Sequence, residues 1–250
     1  MAWISPVLWP FVRVLAMFTA APVFSQRSIP LRAKVGLAFL VAVCAQITLQ
    51  GQPVVSINSP QALGTLVQQI AVGVSIGFAV RLVFAALEVA GELIGLQMGL
   101  NFASFFDPSS NAQISATSRF LVQIGTLLFI VVNGHLLLLM AVIKSFEAFP
   151  VDGHFMDALA QMRLYEMGSA VFASAFWIAL PMIAMLLFVN LALGIISRVA
   201  PQMNIYAVGF PVTLTVGLIG LVATLPMLDQ PLMALLQRAM DIFGVNIAPP

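Results

Sequence analysis

The chain has 250 residues, 61% of them hydrophobic and only 8% charged, with a formal net charge of +1. Ordinary soluble domains carry about 25% charged residues, so the composition excludes a soluble fold, and the even balance offers no field for nucleic acid or an acidic substrate. A length of this order holds about six spans of roughly 20 residues with their connections, and the expected fold is all-α: a polytopic membrane protein forming a single domain over residues 1–250.

The N-terminus is apolar at once, Met1-Ala2-Trp3-Ile4, lacks a basic leader and carries Arg13 inside the stretch, so the first helix is expected to stay in the mature protein. Apolar stretches then run Trp3–Phe24, Val35–Leu49, Ala62–Val80, Leu82–Leu100, Phe120–Ile143, Met167–Ile196 and Val212–Leu228. In lipid each must be helical, because its backbone groups find no water to bond. The breaks fall where Pro, Gly, Asn, Asp and charges gather, at residues 27–34, 51–60, 107–118, 144–166 and 198–211. A last piece, Leu232–Phe243, is amphipathic and too short to span.

Arg27, Arg32 and Lys34 favour the cytoplasm for the first connection, which puts the N-terminus outside. The segment 144–166 has no basic excess and is expected outside as well. Only Arg81 separates Ala62–Val80 from Leu82–Leu100, with no turn residue beside it. One helix of about 39 residues, roughly 58 Å long, is therefore expected, nearly twice the hydrocarbon thickness.

On that helix Gly91, Gly95 and Gly99 recur at every fourth position, and Gly73 and Gly77 repeat the spacing upstream. Such a stripe admits a second backbone. Arg81, Glu88 and Glu92 share a neighbouring face. Ionisable groups in an apolar helix face protein or water, so these three make either an internal ion pair that fixes register or a subunit contact or pore lining. Gly73-Val74-Ser75-Ile76-Gly77 has the spacing of a hydrolase nucleophile elbow but lies in mid-helix without histidine and acid partners, so no catalytic role is assigned. His135 and His154 are the only histidines and form no zinc motif; His135 is expected to be a hydrogen-bonded packing residue. Cys44, alone in an apolar run, is a small hydrophobe. No catalytic residue, cofactor or metal is expected.

Two polar segments stand out between apolar helices. Phe105-Phe106-Asp107-Pro108-Ser109-Ser110-Asn111-Ala112-Gln113-Ile114-Ser115-Ala116-Thr117-Ser118 is nearly uncharged and suits either a plain cytoplasmic loop or one folded into a cavity. Arg198-Val199-Ala200-Pro201-Gln202-Met203-Asn204, continuing to Pro211, reads as a turn held by hydrogen bonds.

These same segments resemble the FliR family, the export-gate membrane component of flagellar and related type III secretion systems. The resemblance lies in Gly91-Glu92-Leu93-Ile94-Gly95-Leu96-Gln97-Met98-Gly99, in 105–110, Asn133-Gly134-His135, Ser145-Phe146, 193–204 and Val208-Gly209-Phe210-Pro211. Phe11-Val12-Arg13-Val14, Ala21-Pro22-Val23-Phe24 and Ile29-Pro30-Leu31-Arg32 add to it near the start. It implies one subunit that joins FliP-type and FliQ-type subunits in a helical pore, with FlhB-type and FlhA-type export components nearby, membrane lipid around it and unfolded flagellar proteins passing through. It also implies a loop that plugs the closed channel, placed at about Asp107 to Ser118, with Phe105, Phe106, Asp107, Pro108, Ser109, Ser110, Asn111, Gln113 and Ile114 as its gate residues. Assembly and helix packing are expected of Arg81, Glu88, Gly91, Glu92, Gly95, Gly99, Arg198, Pro201, Gln202 and Asn204. A virulence-type secretion system is the alternative host. A small-solute transporter, suggested by Pro181 interrupting the helix Met167–Ile196, is a more distant reading.

Overall fold

The computed structural model describes residues 5–26, 28–48, 55–100, 115–151, 165–202 and 204–243. Among these the regular structure is helical: α1 (Ser5–Ala20), α2 (Leu31–Thr48), α3 (Ala62–Gln97), α4 (Ala116–Val131), α5 (Gly134–Ala148), α6 (Glu166–Val199), α7 (Ile205–Thr224) and α8 (Asp229–Asp241), with a single 3-10 turn at Leu225–Met227.

Helix α3 is continuous through Arg81 and has 36 residues, about 54 Å at 1.5 Å per residue. It ends three residues short of the expected Leu100, for a local reason. Gly99 takes φ +81°, the Leu100 N–H reaches the Gly95 carbonyl (3.0 Å) and the Gly99 N–H reaches that of Leu96 (3.1 Å). This is a Schellman stop, which satisfies the last carbonyls with a left-handed residue just past the helix.

Three helical stretches are long and apolar enough to cross a membrane, Ala62–Gln97, Glu166–Val199 and Ala207–Met227, and α4 with α5 would make a fourth as a broken span. Of the first two expected spans, α1 is shorter than its apolar stretch, at 16 residues, whereas α2 has 18 and begins at Leu31, within the break expected at 27–34. The stretch Phe120–Ile143, expected as one helix, breaks at Val132–Asn133. Asn133 adopts φ 57°, ψ 28°, a left-handed conformation that Asn tolerates better than other side chains. Helix α5 then continues to Ala148, beyond the break expected at Lys144. Nor does Pro181 interrupt α6, which runs unbroken for 34 residues. Likewise Val208 to Pro211 belong to α7 and not to the turn before it.

The chain divides into two compact units. In the first (residues 1–83, 129–169 and 234–250), α1 packs against α2 and α5. Gly73 and Gly77 of α3 lie against the backbone of α1 around Arg13 and Met17, where a Cβ at either would collide with main-chain atoms. The upstream half of the glycine ladder thus admits a backbone of the same chain. Val14, Met17, Phe18, Ile76, Phe129 and Phe146 are among the buried core residues, and Trp9 Nε1 donates to the Val55 carbonyl (2.8 Å).

In the second unit (residues 84–128 and 170–233), Leu87, Ile94, Met98, Leu121, Met182 and Leu186 are buried. Met98 lies over Gly217 of α7, and Met182 and Met185 over Gly220. Helix α6 is far less covered: 22% of its apolar window is buried, against 56% for α3. Trp177 and Phe188 are each 73% exposed. So large an open apolar face marks a surface for protein or lipid.

Candidate functional site

Of the segment expected to plug a channel, residues 105–114 lie outside the described residues. Its last part, expected as loop to Ser118, instead starts α4 at Ala116 because the Ser115 hydroxyl caps that helix. The two roots of residues 101–114 lie within the described residues. The upstream root is the Schellman stop at Gly99. Beside it on α7 stand Thr213, whose hydroxyl lies between the Met98 carbonyl oxygen (3.3 Å) and that of Phe210 (3.1 Å), and the Phe210 ring, at ordinary contact distance from where a Cβ on Gly99 would stand.

The downstream root is built on Glu92. Its Oε1 accepts from the Ser115 N–H (2.7 Å) and from the Ser118 hydroxyl (2.9 Å). The same hydroxyl lies 2.8 Å from the Glu88 carbonyl oxygen. Ser115 is the N-cap of α4, its Oγ accepting the Ser118 N–H at 3.1 Å, which satisfies one of the donors a helix start leaves open. Gly91 makes room: a Cβ there would fall on the backbone of Ser118. Glu92 therefore serves as an anionic clamp on the first turn of α4, where the helix dipole favours negative charge. Glu92 and Gly99 are seven residues apart, about 10 Å along α3, so both roots of residues 101–114 sit on one end of one helix.

Of the expected assembly residues, Gly91, Glu92 and Glu88 are thus brought together within the chain. Gly95 is buried and supplies a carbonyl to the helix stop, while Gly99 acts as that stop and not as a further rung of the ladder. Arg81 is exposed and takes no part in the Glu92 cluster. It shares the face with Glu88 but lies two turns away, again about 10 Å, which a direct ion pair does not bridge. In the turn between α6 and α7, Asn204 Oδ1 accepts the Ala207 N–H (3.3 Å) and caps α7, whereas Arg198, Pro201 and Gln202 are exposed. The turn is held chiefly at its downstream end.

One residue outside that set is the most conspicuous polar group of the first unit. Arg13 is fully buried. Its Nε donates to Gln69 Oε1 (2.7 Å), Nη1 to Ser145 Oγ (3.0 Å) and Nη2 to the Phe149 carbonyl (2.8 Å), and its guanidinium stacks 3.6 Å from the Phe146 ring centroid. It thereby joins α1, α3, α5 and the exit of α5. Its only sign in the sequence is a lone arginine in an apolar stretch, because the acceptors lie 56 to 136 residues away. By contrast, the Nδ1 of His135 is buried with no hydrogen-bond partner among the described residues, so the hydrogen bond expected for it is not seen at that atom. Ser75 lies within α3, away from any strand-to-helix turn. Among the described residues no cluster of His, Cys, Asp and Glu is arranged to hold a metal ion.

Comparison with known proteins gives this architecture its relatives. The family model for bacterial export proteins, family 1, matches residues 4–239. The flagellar biosynthetic protein FliR of Escherichia coli K12 is 40% identical over 230 residues, 91% of this chain and 87% of its own length. That of Pectobacterium carotovorum is 41% identical over 244 residues, 97% and 92% of the two chains. The Bacillus subtilis protein of the same name is 33% identical over 215 residues, 85% and 83%. A match that runs nearly end to end in chains of similar length, with several long apolar helices, leads to one conclusion: the chain belongs to the FliR family of bacterial export proteins, inner-membrane proteins associated with the flagellum.

Proposed function

We propose that this chain is a pore-forming subunit of the flagellar protein export gate, and that residues 105–114 plug the closed channel. The supporting observation is the double root of that segment: both ends are fastened to the last turns of α3, one by the Gly99 stop and one by the Glu92 clamp. A segment with fixed roots and a short polar sequence is suited to block a passage and to be displaced without unfolding its supports. The gate acts by shape and displacement, with no covalent step of its own. Its partners in this reading are FliP-type and FliQ-type subunits, with FlhB-type and FlhA-type components, and the open face of α6 is suited to receive such helices. Residues Arg198, Pro201 and Gln202 of the exposed turn serve assembly. Unfolded flagellar proteins are the cargo, and the flagellar names of the relatives favour this host over a virulence-type system.

The test is conductance of the purified assembly in planar bilayers. Shortening residues 105–114 should make the closed pore leak ions, and unchanged conductance in a complex of normal yield would refute the plug assignment. Clean deletion of the gene should abolish motility and secretion of flagellar substrates; intact secretion would refute the gate role as a whole.

A further inference from the structure

Helix α3 carries, on its first half, a ridge that nothing in the described chain covers. Leu63, Val67, Ile70, Val74 and Phe78 are all exposed, from 40% to 73%, and Arg81, also exposed, ends the row. The spacing of three and four residues places all six within about 80° of arc at roughly 100° per residue. The ridge is about 27 Å long, enough for one helix to lie along it as i, i+3, i+4 anchors do in a groove. Farther along α3 the same arc carries Glu88 and Glu92, and there the chain supplies its own cover, the first turn of α4 bound through Glu92 and Ser118.

We infer that the open ridge is the seat of an apolar helix from a partner membrane subunit, and that this helix presents a carboxylate opposite Arg81. Charge complementarity selects this occupant. Arg81 is flanked by Val80 and Leu82 in an apolar helix, and none of the hydrogen bonds among described residues involves it. A cation in an apolar row is expensive to cover unless it is paired or watered. A helix laid on the five apolar side chains would exclude water from Arg81, so its facing residue must supply the counter-charge. An acidic residue near one end of an otherwise apolar span is therefore the defining feature of the occupant. This inference rests on the reading of the chain as one subunit of a membrane assembly.

The experiment uses the intact complex in cells. A photo-crosslinking residue is placed at Val74 or Phe78, and in parallel at Phe188 on the open face of α6, and the captured peptides are identified by mass. Val74 and Phe78 should capture an apolar peptide of another subunit that has Asp or Glu within about a turn of the level of Arg81. Arg81→Glu should then lower recovery of that subunit about tenfold or more, as expected for a desolvated charge pair turned into a like-charge clash. Arg81→Lys should keep most of it, and exchanging the identified acid for lysine should restore recovery with Arg81→Glu. Capture from Phe188 with only lipid, or no product, from Val74 and Phe78 overturns the ridge proposal and leaves the assembly reading standing. Capture at neither face overturns both. Capture of a helix without an acid, or recovery indifferent to Arg81→Glu, overturns the charge pairing.

Discussion

Gly91→Ala and Gly64→Ala place the same methyl group on the same helix, and the structure requires opposite outcomes. At Gly64 nothing lies within 4 Å of the added carbon, and the position is exposed. The change there trades a poor helix former for the best one and should stabilise by about 0.5 to 1 kcal/mol. At Gly91 the added carbon would meet the Cα, N and Oγ of Ser118, the N at 2.7 Å and the Oγ at 2.8 Å, against about 3.5 to 4 Å for favourable contact. The obstacle is backbone, so the first turn of α4 must move by roughly 1 Å to reach ordinary contact. That movement stretches the bonds from Ser115 and Ser118 to Glu92 and from Ser118 to the Glu88 carbonyl, now 2.7 to 2.9 Å. The Ser118 hydroxyl has one proton to share between Glu92 and the Glu88 carbonyl, so the three contacts amount to two hydrogen bonds, worth about 1.5 to 3 kcal/mol each where the acceptor is ionised. Loss of most of both, less the gain in helix propensity, leaves a net cost of about 2 to 3 kcal/mol. For a chain of this size that lowers the melting temperature by about 4 to 12 °C. Thermal unfolding of the detergent-solubilised complex, followed by size-exclusion recovery of a fluorescent fusion, measures both variants. The Gly91 variant should also leak ions, because it displaces a root of the proposed plug. A Gly91→Ala protein as stable as Gly64→Ala would refute the close packing of α4 on α3.

Further outcomes follow from the other clusters. Glu92→Gln keeps an oxygen that can accept from Ser115 and Ser118 and should cost about 1 kcal/mol, whereas Glu92→Ala leaves the Ser115 N–H without its acceptor and the Ser118 hydroxyl with the Glu88 carbonyl alone and should cost about 2 to 3; equal melting temperatures for the two would count against the clamp. Arg13→Ala removes a buried guanidinium and leaves Gln69 Oε1 and the Phe149 carbonyl without their donor, for a loss of about 3 kcal/mol or more in the same thermal assay. Arg13→Lys cannot reach three divergent acceptors with one ammonium and should recover less than half of that loss; full recovery would mean that charge alone matters at this site. Asn204→Ala should cost about 1 kcal/mol through the lost cap of α7, while Arg198→Ala, at an exposed position, should lower the yield of assembled complex without changing the melting of the isolated chain. A melting change without a yield change at Arg198 would contradict its assembly role.

Apolar content, the positions of most helices, the unbroken passage of α3 through Arg81 and the family resemblance were all legible in the sequence. They depend on composition, short-range periodicity and ordered local motifs, which neighbouring residues encode without help from the rest of the chain. The polar stretch 105–114 could be singled out for the same reason. What the residues Gly91, Glu92 and Gly99 do was not legible, although all three fall in one motif. Each takes its role from a distant contact or a local backbone angle: Ser118 lies on Gly91, Ser115 and Ser118 bind Glu92, and Gly99 turns left-handed. The break at Asn133 was hidden because Asn is compatible with both a helix and a left-handed turn, and Phe129 packed against Gly134 accompanies the turn. Arg13 shows the division most plainly. The sequence by itself determined that a cation stands within an apolar helix, and hence that it must be sheltered from lipid. Only tertiary structure decided that the shelter is Gln69, Ser145, Phe149 and the Phe146 ring, because burial satisfies a guanidinium through whichever acceptors the packed helices bring within 3 Å, and that set is a property of the packing and not of the residues beside it in the chain.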